Sequence, residues 1–293
     1  MPGLRVLRPA DGVLAFYEGR EEGHRFAEGP NWVDRGALEL GIASYALVDG
    51  PDALVYDTHV AVDRAEEIRR TLEAEGAERL TVVLSHWHLD HVAGTAAFAD
   101  AEVIANERTD EHLRAKREAI EAGTLEGPPA IDPLVLPTRT FNGALTVGVG
   151  DIEVHLIEAN IHSDDATVLW LPDRRLLFAG DTMEDTVTYV DEPEHFDRHL
   201  ADLDRLWDLD PDRIIPNHGD PDVIASGGYP RELIRATQQY IRVLGHCRTD
   251  DGLRAQSLRE LIAGPLRAGW VHYFEPYEAV HRSNLETVLG TKS

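Results

Sequence analysis

The chain is nearly free of cysteine and of lysine. One of its 293 residues is cysteine, Cys247, so no intrachain disulfide can form. A lone thiol of this kind reads as a small core side chain. Lysine occurs only at Lys116 and Lys292, and the net charge is −25. Such a surface repels nucleic acid, anionic membranes and polyanionic substrates, while leaving room for a local basic pocket. No run of eighteen apolar residues is present, which argues against a membrane-spanning helix. The opening residues, Met1 to Arg8, hold no apolar segment of signal-peptide length. The chain therefore reads as cytoplasmic, acting on a small molecule, with neither nucleic acid nor membrane as partner. Assembly into a homo-oligomer stays open. A Gly-x-Ser-x-Gly elbow is also missing, which weakens a serine-hydrolase reading.

What is present is enough apolar residue for a sizeable core, 43% of the chain. Residues 4–18 alternate around Pro9-Ala10-Asp11-Gly12 and predict an opening hairpin. A long loop, 19–36, follows, with Phe26 and Trp32 placed to border a site. Strands are expected at 43–48, 53–56, 80–84 and 103–104, and helices at 62–75 and 107–122. A second half, opened by Phe141, carries strands over 141–149, 152–156, 167–171 and 175–179, with 214–216 as a last strand. Helical spacing of Phe196, Leu200, Leu203 and Trp207 predicts a helix over 194–208, with His195 and His199 on its surface. Helices are expected again over 230–246, 256–264 and 278–289.

The organising stretch is Ser85-His86-Trp87-His88-Leu89-Asp90-His91-Val92-Ala93-Gly94. Three histidines and one carboxylate lie within six residues, at the end of the apolar run Leu80 to Leu84. Imidazole and carboxylate suit a borderline divalent ion such as zinc. Further candidates sit after later strands: His162, Asp181 in Gly180-Asp181-Thr182, and His218 in Asn217-His218-Gly219.

His-x-His-x-Asp-His resembles the signature of the metallo-β-lactamase superfamily. The resemblance covers about residues 10–225. It implies an α/β fold, a four-layer αββα sandwich, over residues 1–230, with 231–293 as a helical extension packed on the same domain. It also implies a ligand set: His86, His88 and His162 for one ion, Asp90, His91 and His218 for another, and Asp181 bridging them. Asp57 would support this loop from behind, and Asp90 would be the catalytic proton carrier. The expected cofactors are two divalent metal ions per chain, zinc ahead of iron or manganese. Such a pair holds a bridging hydroxide and polarises a carbonyl, which suits hydrolysis of a small lactone, ester, thioester or lactam. An iron- or manganese-dependent redox enzyme on the same scaffold is the alternative. An aspartate at 181, where one lactamase class has cysteine, makes the site look most like glyoxalase II or acyl-homoserine lactonases. Phe26, Trp32 and Tyr189 are the expected substrate-binding rim. Asp185 falls outside the motif.

Overall fold

The computed structural model describes residues 4–291. The first three residues of the opening stretch, and Lys292 and Ser293 at the end of the helical extension, lie outside the described residues. A seven-stranded sheet holds β1 (Arg5–Ala10), β2 (Val13–Glu18), β3 (Ile42–Asp49), β4 (Asp52–Tyr56), β5 (Arg79–Val83), β6 (Glu102–Asn106) and β7 (Arg139–Phe141), in that spatial order. The first four form an antiparallel meander, and β4 to β7 run parallel. Parallel neighbours need crossovers. α1 (Val62–Ala74) joins β4 to β5, the single turn α2 (Leu89–Val92) follows β5, and α3 (Glu107–Glu121) follows β6.

The second sheet has the order β13-β12-β11-β10-β9-β8. Its strands are β8 (Ala144–Val149), β9 (Ile152–Glu158), β10 (Thr167–Leu171), β11 (Leu176–Gly180), β12 (Arg213–Pro216) and β13 (Tyr229–Pro230). α4 (Phe196–Asp208) links β11 to β12, and α5 (Pro221–Ala225) precedes β13. The tail adds α6 (Leu233–His246), α7 (Asp251–Arg254), α8 (Leu258–Leu261), α9 (Ala263–Ala268) and α10 (Tyr277–Leu289).

Three apolar layers result. Ile68, Leu72, Leu113 and Ile120 of α1 and α3 pack on one face of the first sheet. Leu203 of α4, with Ile234, Ile241 and Val280 of the tail, packs on the outer face of the second. Between the sheets lie Tyr17, Tyr45, Leu54, Tyr56, Leu156, Leu169 and Phe178. The architecture is thus the expected four-layer αββα sandwich. Central strands β10 and β11 are buried at every residue, which explains their unbroken apolar sequences. A buried phenol needs an acceptor, and three tyrosines of the first sheet find theirs across the sandwich. Tyr45 donates to Pro216 O (2.5 Å), Tyr56 to Thr167 O (2.5 Å) and Tyr17 to Gly219 O (2.9 Å). These bonds tie the two sheets together at the strand ends from which the site loops depart.

Four expectations need correction. Phe141 belongs to β7 of the first sheet, not to the second half, because the Asn142-Gly143 turn (Gly143 φ 73°) separates it from β8. The strand at 214–216 is not the last, since β13 pairs with it. The helix expected over 256–264 starts at Leu258, where Ser257 and Glu260 form a capping box, and a break at Ile262 divides it from α9. His199 is not on a helix surface. The buried face of α4 is His199, Asp202, Leu203 and Leu206, rotated from the stripe that Phe196, Leu200 and Trp207 suggest.

Candidate metal centre

Each candidate ligand stands where a strand ends. β5 ends at Val83, and Ser85 to His88 carry the chain out of the core into α2. Ser85 N–H donates to Asp57 Oδ1 (2.7 Å), while Asp57 Oδ2 accepts from Asn217 Nδ2 (2.5 Å) and lies 2.9 Å from His91 Nδ1. One buried carboxylate behind the loop thus fixes a backbone and an imidazole ring. Asp57 and His162 hold positive φ (66° and 70°), conformations that cost energy for residues with a Cβ and recur at functional sites. Two glycines are needed by the close packing. A Cβ on Gly94 would collide with Thr58 O and with the Ala65 side chain, and Gly180 (φ 56°) sits where a Cβ would lie 2.8 Å from the Tyr56 hydroxyl.

The side chains form two adjoining groups. His86 Nε2 lies 2.9 Å from His88 Nδ1, which lies 3.0 Å from His162 Nε2. Beside them, His218 Nε2 lies 3.3 Å from Asp90 Oδ2, and His91 Nε2 lies 3.5 Å from Asp90 Oδ1. Asp181 Oδ2 faces both groups. It stands 3.1 Å from His91 Nε2, 3.3 Å from His218 Nε2, and 3.8 Å from both His86 Nε2 and His162 Nε2. The far ring nitrogens are held from outside: His86 Nδ1 by Ser85 Oγ (2.9 Å), His218 Nδ1 by Gly41 O (2.7 Å) and His91 Nδ1 by Asp57. With those positions fixed, Nε2 of each ring points inward.

The seven side chains fit metal ions. Three imidazole nitrogens within van der Waals contact present converging lone pairs, and Asp181 Oδ1 is buried with no hydrogen-bond partner among the described residues. Burial, followed by its neighbouring imidazoles, holds His86 well below the ordinary range, and the same causes push His88 down to about 3. These rings are neutral and ready to ligate. Burial would also lower His91 and His218, but the surrounding carboxylates, Asp181 foremost, together outweigh it and hold both well above the usual value. For Asp181, burial opposes ionisation and the adjoining His218 and His91 more than reverse it. A metal ion there would displace the protons of His91 and His218 and take their place against the carboxylates of Asp90 and Asp181.

A cavity of about 350 Å³ opens on this cluster. Its walls include Trp87, His88, Asp90, Glu126, His162, Asp181, Glu184, Tyr189 and His218. Of the three expected rim residues only Tyr189 lies there. Trp32 is buried in the core, and its indole N–H donates to Pro129 O (3.0 Å). Phe26 packs against the same core. The 19–36 loop turns inward because Asp34 gathers Phe26 N–H, Asn31 Nδ2 and Arg25 onto one carboxylate. His59 is buried, neither of its ring nitrogens is hydrogen-bonded among the described residues, and burial lowers it to about 4.

Sequence reasoning missed Glu126 and Glu184, which lie in stretches with no periodic signal. Glu184 is buried beside His162, and its oxygens accept from Tyr277 OH (3.0 Å) and Tyr189 N–H (3.2 Å). Asp185 is not an idle neighbour of the motif. It is buried and accepts from His272 N–H (2.6 Å) and Tyr229 OH (2.7 Å).

Comparison with known proteins bears on family and fold. The model of the metallo-beta-lactamase superfamily matches residues 38–218. A linear primary-alkylsulfatase of Pseudomonas sp. (strain ATCC 19151) is 22% identical over 280 residues, covering 79% of this chain and 52% of that protein. A beta-lactamase-like protein 2 homolog of Caenorhabditis elegans is 25% identical over 209 residues, covering 70% of this chain and 65% of its own. The 2,4-dinitroanisole O-demethylase subunit alpha of Nocardioides sp. (strain JS1661) is 28% identical, covering 61% and 53%. The chain thus spans between half and two thirds of the length of these relatives. Among solved structures, the metallo-β-lactamase of Hirschia baltica aligns with a TM-score of 0.56 at 17% identity, over 82% of this chain and 98% of that one. DIM-1 metallo-β-lactamase aligns with a TM-score of 0.55 at 20% identity, over 80% and 98%. These likenesses are of fold.

Proposed function

Since this chain belongs to the metallo-β-lactamase superfamily, we propose that it is a metal-dependent hydrolase of a small ester, thioester, lactone or lactam, holding two divalent ions, zinc first among them. One observation carries the reading: a single carboxylate oxygen, Asp181 Oδ2, faces four imidazole nitrogens drawn from two ligand groups. In this reading His86, His88 and His162 hold one ion, Asp90, His91 and His218 the other, and Asp181 serves both. Bound there, such a pair supplies a Lewis acid for the scissile carbonyl and a nucleophile from water at neutral pH. The aspartate at 181 makes the glyoxalase II and acyl-homoserine lactonase type of site the nearest comparison. The catalytic unit is taken as 1–230 and the tail as its helical support.

The chain's own groups divide the work. Asp90 is the most solvent-open carboxylate of the seven-residue set, with its side chain 18% exposed, against 5% for Asp181. Its oxygens accept the proton released by the attacking water and return it to the leaving group. Tyr189 is raised to about 12, chiefly by burial, so its phenol stays protonated and donates toward a substrate oxygen. Trp87 and Leu40 give the cavity apolar wall for the acyl part.

The test is elemental analysis of purified protein, then turnover of lactones, thioesters and β-lactams with zinc supplied. Two metals per chain and hydrolysis of at least one acyl class are expected. A dimetal protein inert to all of them would refute the hydrolase reading. Iron or manganese with redox turnover would favour the redox alternative, whose ligand chemistry the same donors satisfy.

A further inference from the structure

We infer that Asp165 is a positioning residue for one ligand group alone: its carboxylate ties together the two loops that carry His86, His88 and His162. The inference rests on the two-ion reading above. Asp165 is fully buried. Its Oδ2 accepts from the backbone N–H of Trp87 (3.0 Å), the residue between His86 and His88. Its Oδ1 accepts from Ser163 Oγ, on the residue after His162. Both oxygens therefore hold chain that bears candidate ligands, and one side chain joins loops far apart in sequence.

The rings show why such a brace matters. Three of the five candidate imidazoles are fixed at the ring itself. Ser85 Oγ lies 2.9 Å from His86 Nδ1, Asp57 Oδ2 2.9 Å from His91 Nδ1, and Gly41 O 2.7 Å from His218 Nδ1. His88 and His162 are held less closely. His88 turns its Nδ1 inward, 2.9 Å from His86 Nε2 and 3.0 Å from His162 Nε2. On the outer side of His162, Nδ1 stands 3.5 Å from Thr188 Oγ1 and 4.0 Å from Glu184 Oε1. The placement of these two rings thus depends on the backbone that carries them, and Asp165 grips that backbone on both loops. His162 also holds a positive φ (70°), a conformation that persists only where neighbouring bonds fix it.

The segment bearing Asp165 is itself anchored. Thr109 Oγ1 of α3 donates to Asp165 O (3.3 Å). Asp164 lies 3.2 Å from Arg108 Nη1 and 2.7 Å from His112 Nε2, both on the same helix. Thr167 N–H donates to Ser85 O (2.7 Å), so the start of β10 runs beside the 85–88 loop. Asp57 Oδ2, by contrast, engages His91 and Asn217 Nδ2, next to His218, in the other group.

The test is zinc affinity of the full chain, measured by competition with a chromophoric chelator in two backgrounds. His218→Ala leaves the group of His86, His88 and His162 whole, and His88→Ala leaves the other whole. Added to His218→Ala, Asp165→Ala should weaken zinc by about 10-fold or more. Added to His88→Ala, it should change zinc affinity by less than about twofold. Asp165→Asn can accept from Trp87 N–H and donate to Ser163 Oγ, so it should recover most of the loss. Equal weakening in both backgrounds, no weakening in either, or an asparagine no better than alanine would each overturn the inference. Should Asp165→Ala fail to fold, as judged by urea melts of zinc-free protein, Ser163→Ala decides. It keeps the bond to Trp87 and should weaken zinc by about 3-fold in the His218→Ala background alone, and unchanged affinity there would overturn the inference. A wild type that binds two zinc ions and hydrolyses no acyl substrate would refute the hydrolase reading and leave the brace standing. A hydrolytic, two-zinc wild type without the selective loss would refute the brace and leave that reading standing.

Discussion

Replacing Asp181 by asparagine changes one atom in kind and almost nothing in shape. The carboxylate is buried, and its Oδ2 lies between 3.1 and 3.8 Å from four imidazole nitrogens. Two unit charges about 4 Å apart interact by about 4 kcal/mol at an effective dielectric constant of about 20. The amide oxygen keeps part of that interaction as a dipole, and relaxation recovers more. A net loss of about 1.4 to 3 kcal/mol remains, which corresponds to about 10- to 100-fold in affinity for the second ion. Turnover should fall further, by about 100-fold or more, because the placement of the nucleophile depends on both ligand groups. The fold should survive, since Gly180 and Thr182 keep their backbone bonds to Asn217 and Ala179. Metal content and kcat would be measured for wild type, Asp181→Asn and the exposed-site control Asp173→Asn. Asp185→Asn is unsuited as the control, because Asp185 is buried against His272 and Tyr229. An Asp181→Asn protein with two metals and wild-type kcat would refute the shared-carboxylate arrangement.

Asn284→Ala should lower stability by about 2 to 3 kcal/mol in urea melts, because Val190 N–H and Thr188 O lose their buried partner (2.9 Å each), and it should raise KM through the displaced Tyr189. Trp32→Ala should cost about 3 to 5 kcal/mol, read in the same melts, with metal content unchanged. His199 supplies a pH signature. Burial lowers its folded value to about 4, so the unfolded chain binds the proton first, and stability present above about pH 6.5 is lost as the pH falls toward 4. Between pH 7 and 5 that loss is about 2 kcal/mol. Urea melts at the two pH values should show a correspondingly smaller loss in His199→Leu, and an equal loss in both proteins would remove His199 as a cause.

The candidate ligand residues were legible in the sequence because they follow buried strands. An unbroken run such as Leu80 to Leu84 admits few readings, and the polar residues after it must stand at a sheet end. The same logic located His162, Asp181 and His218 after β9, β11 and β12. It failed for Trp32 and Phe26, since an aromatic residue in a loop carries no mark of whether the loop turns outward or packs down. There the answer lay in Asp34, whose carboxylate gathers three neighbouring donors, a local chemistry with no period. It failed for His199 because a helical stripe read from large apolar residues fixes the axis only to within a residue or so. Phe196 and Trp207 are long enough to lie partly exposed while the smaller face between them is buried.

The tail was legible as helices and illegible as a part of the site. Its contribution is made by single polar side chains on the segment that follows Asp181. Tyr277 holds Glu184, His272 holds Asp185, and Asn284 bridges Thr188 and Val190. Thr186 Oγ1 donates to His272 O (2.7 Å) and accepts from Phe274 N–H (3.0 Å). Residues 184–190 form no regular helix or strand, so their backbone groups need partners from elsewhere, and the tail supplies them. This explains why a segment of such irregular backbone is buried at almost every position beside a polar cluster. It also sets where changes in the tail act. Tyr277 OH reaches Glu184 on the cavity wall, and Asn284 anchors the residues on either side of Tyr189, whereas the candidate ligands hang from strand ends that the tyrosines of the first sheet already brace. Substitutions at Tyr277 or Asn284 should therefore alter substrate handling before they alter metal content.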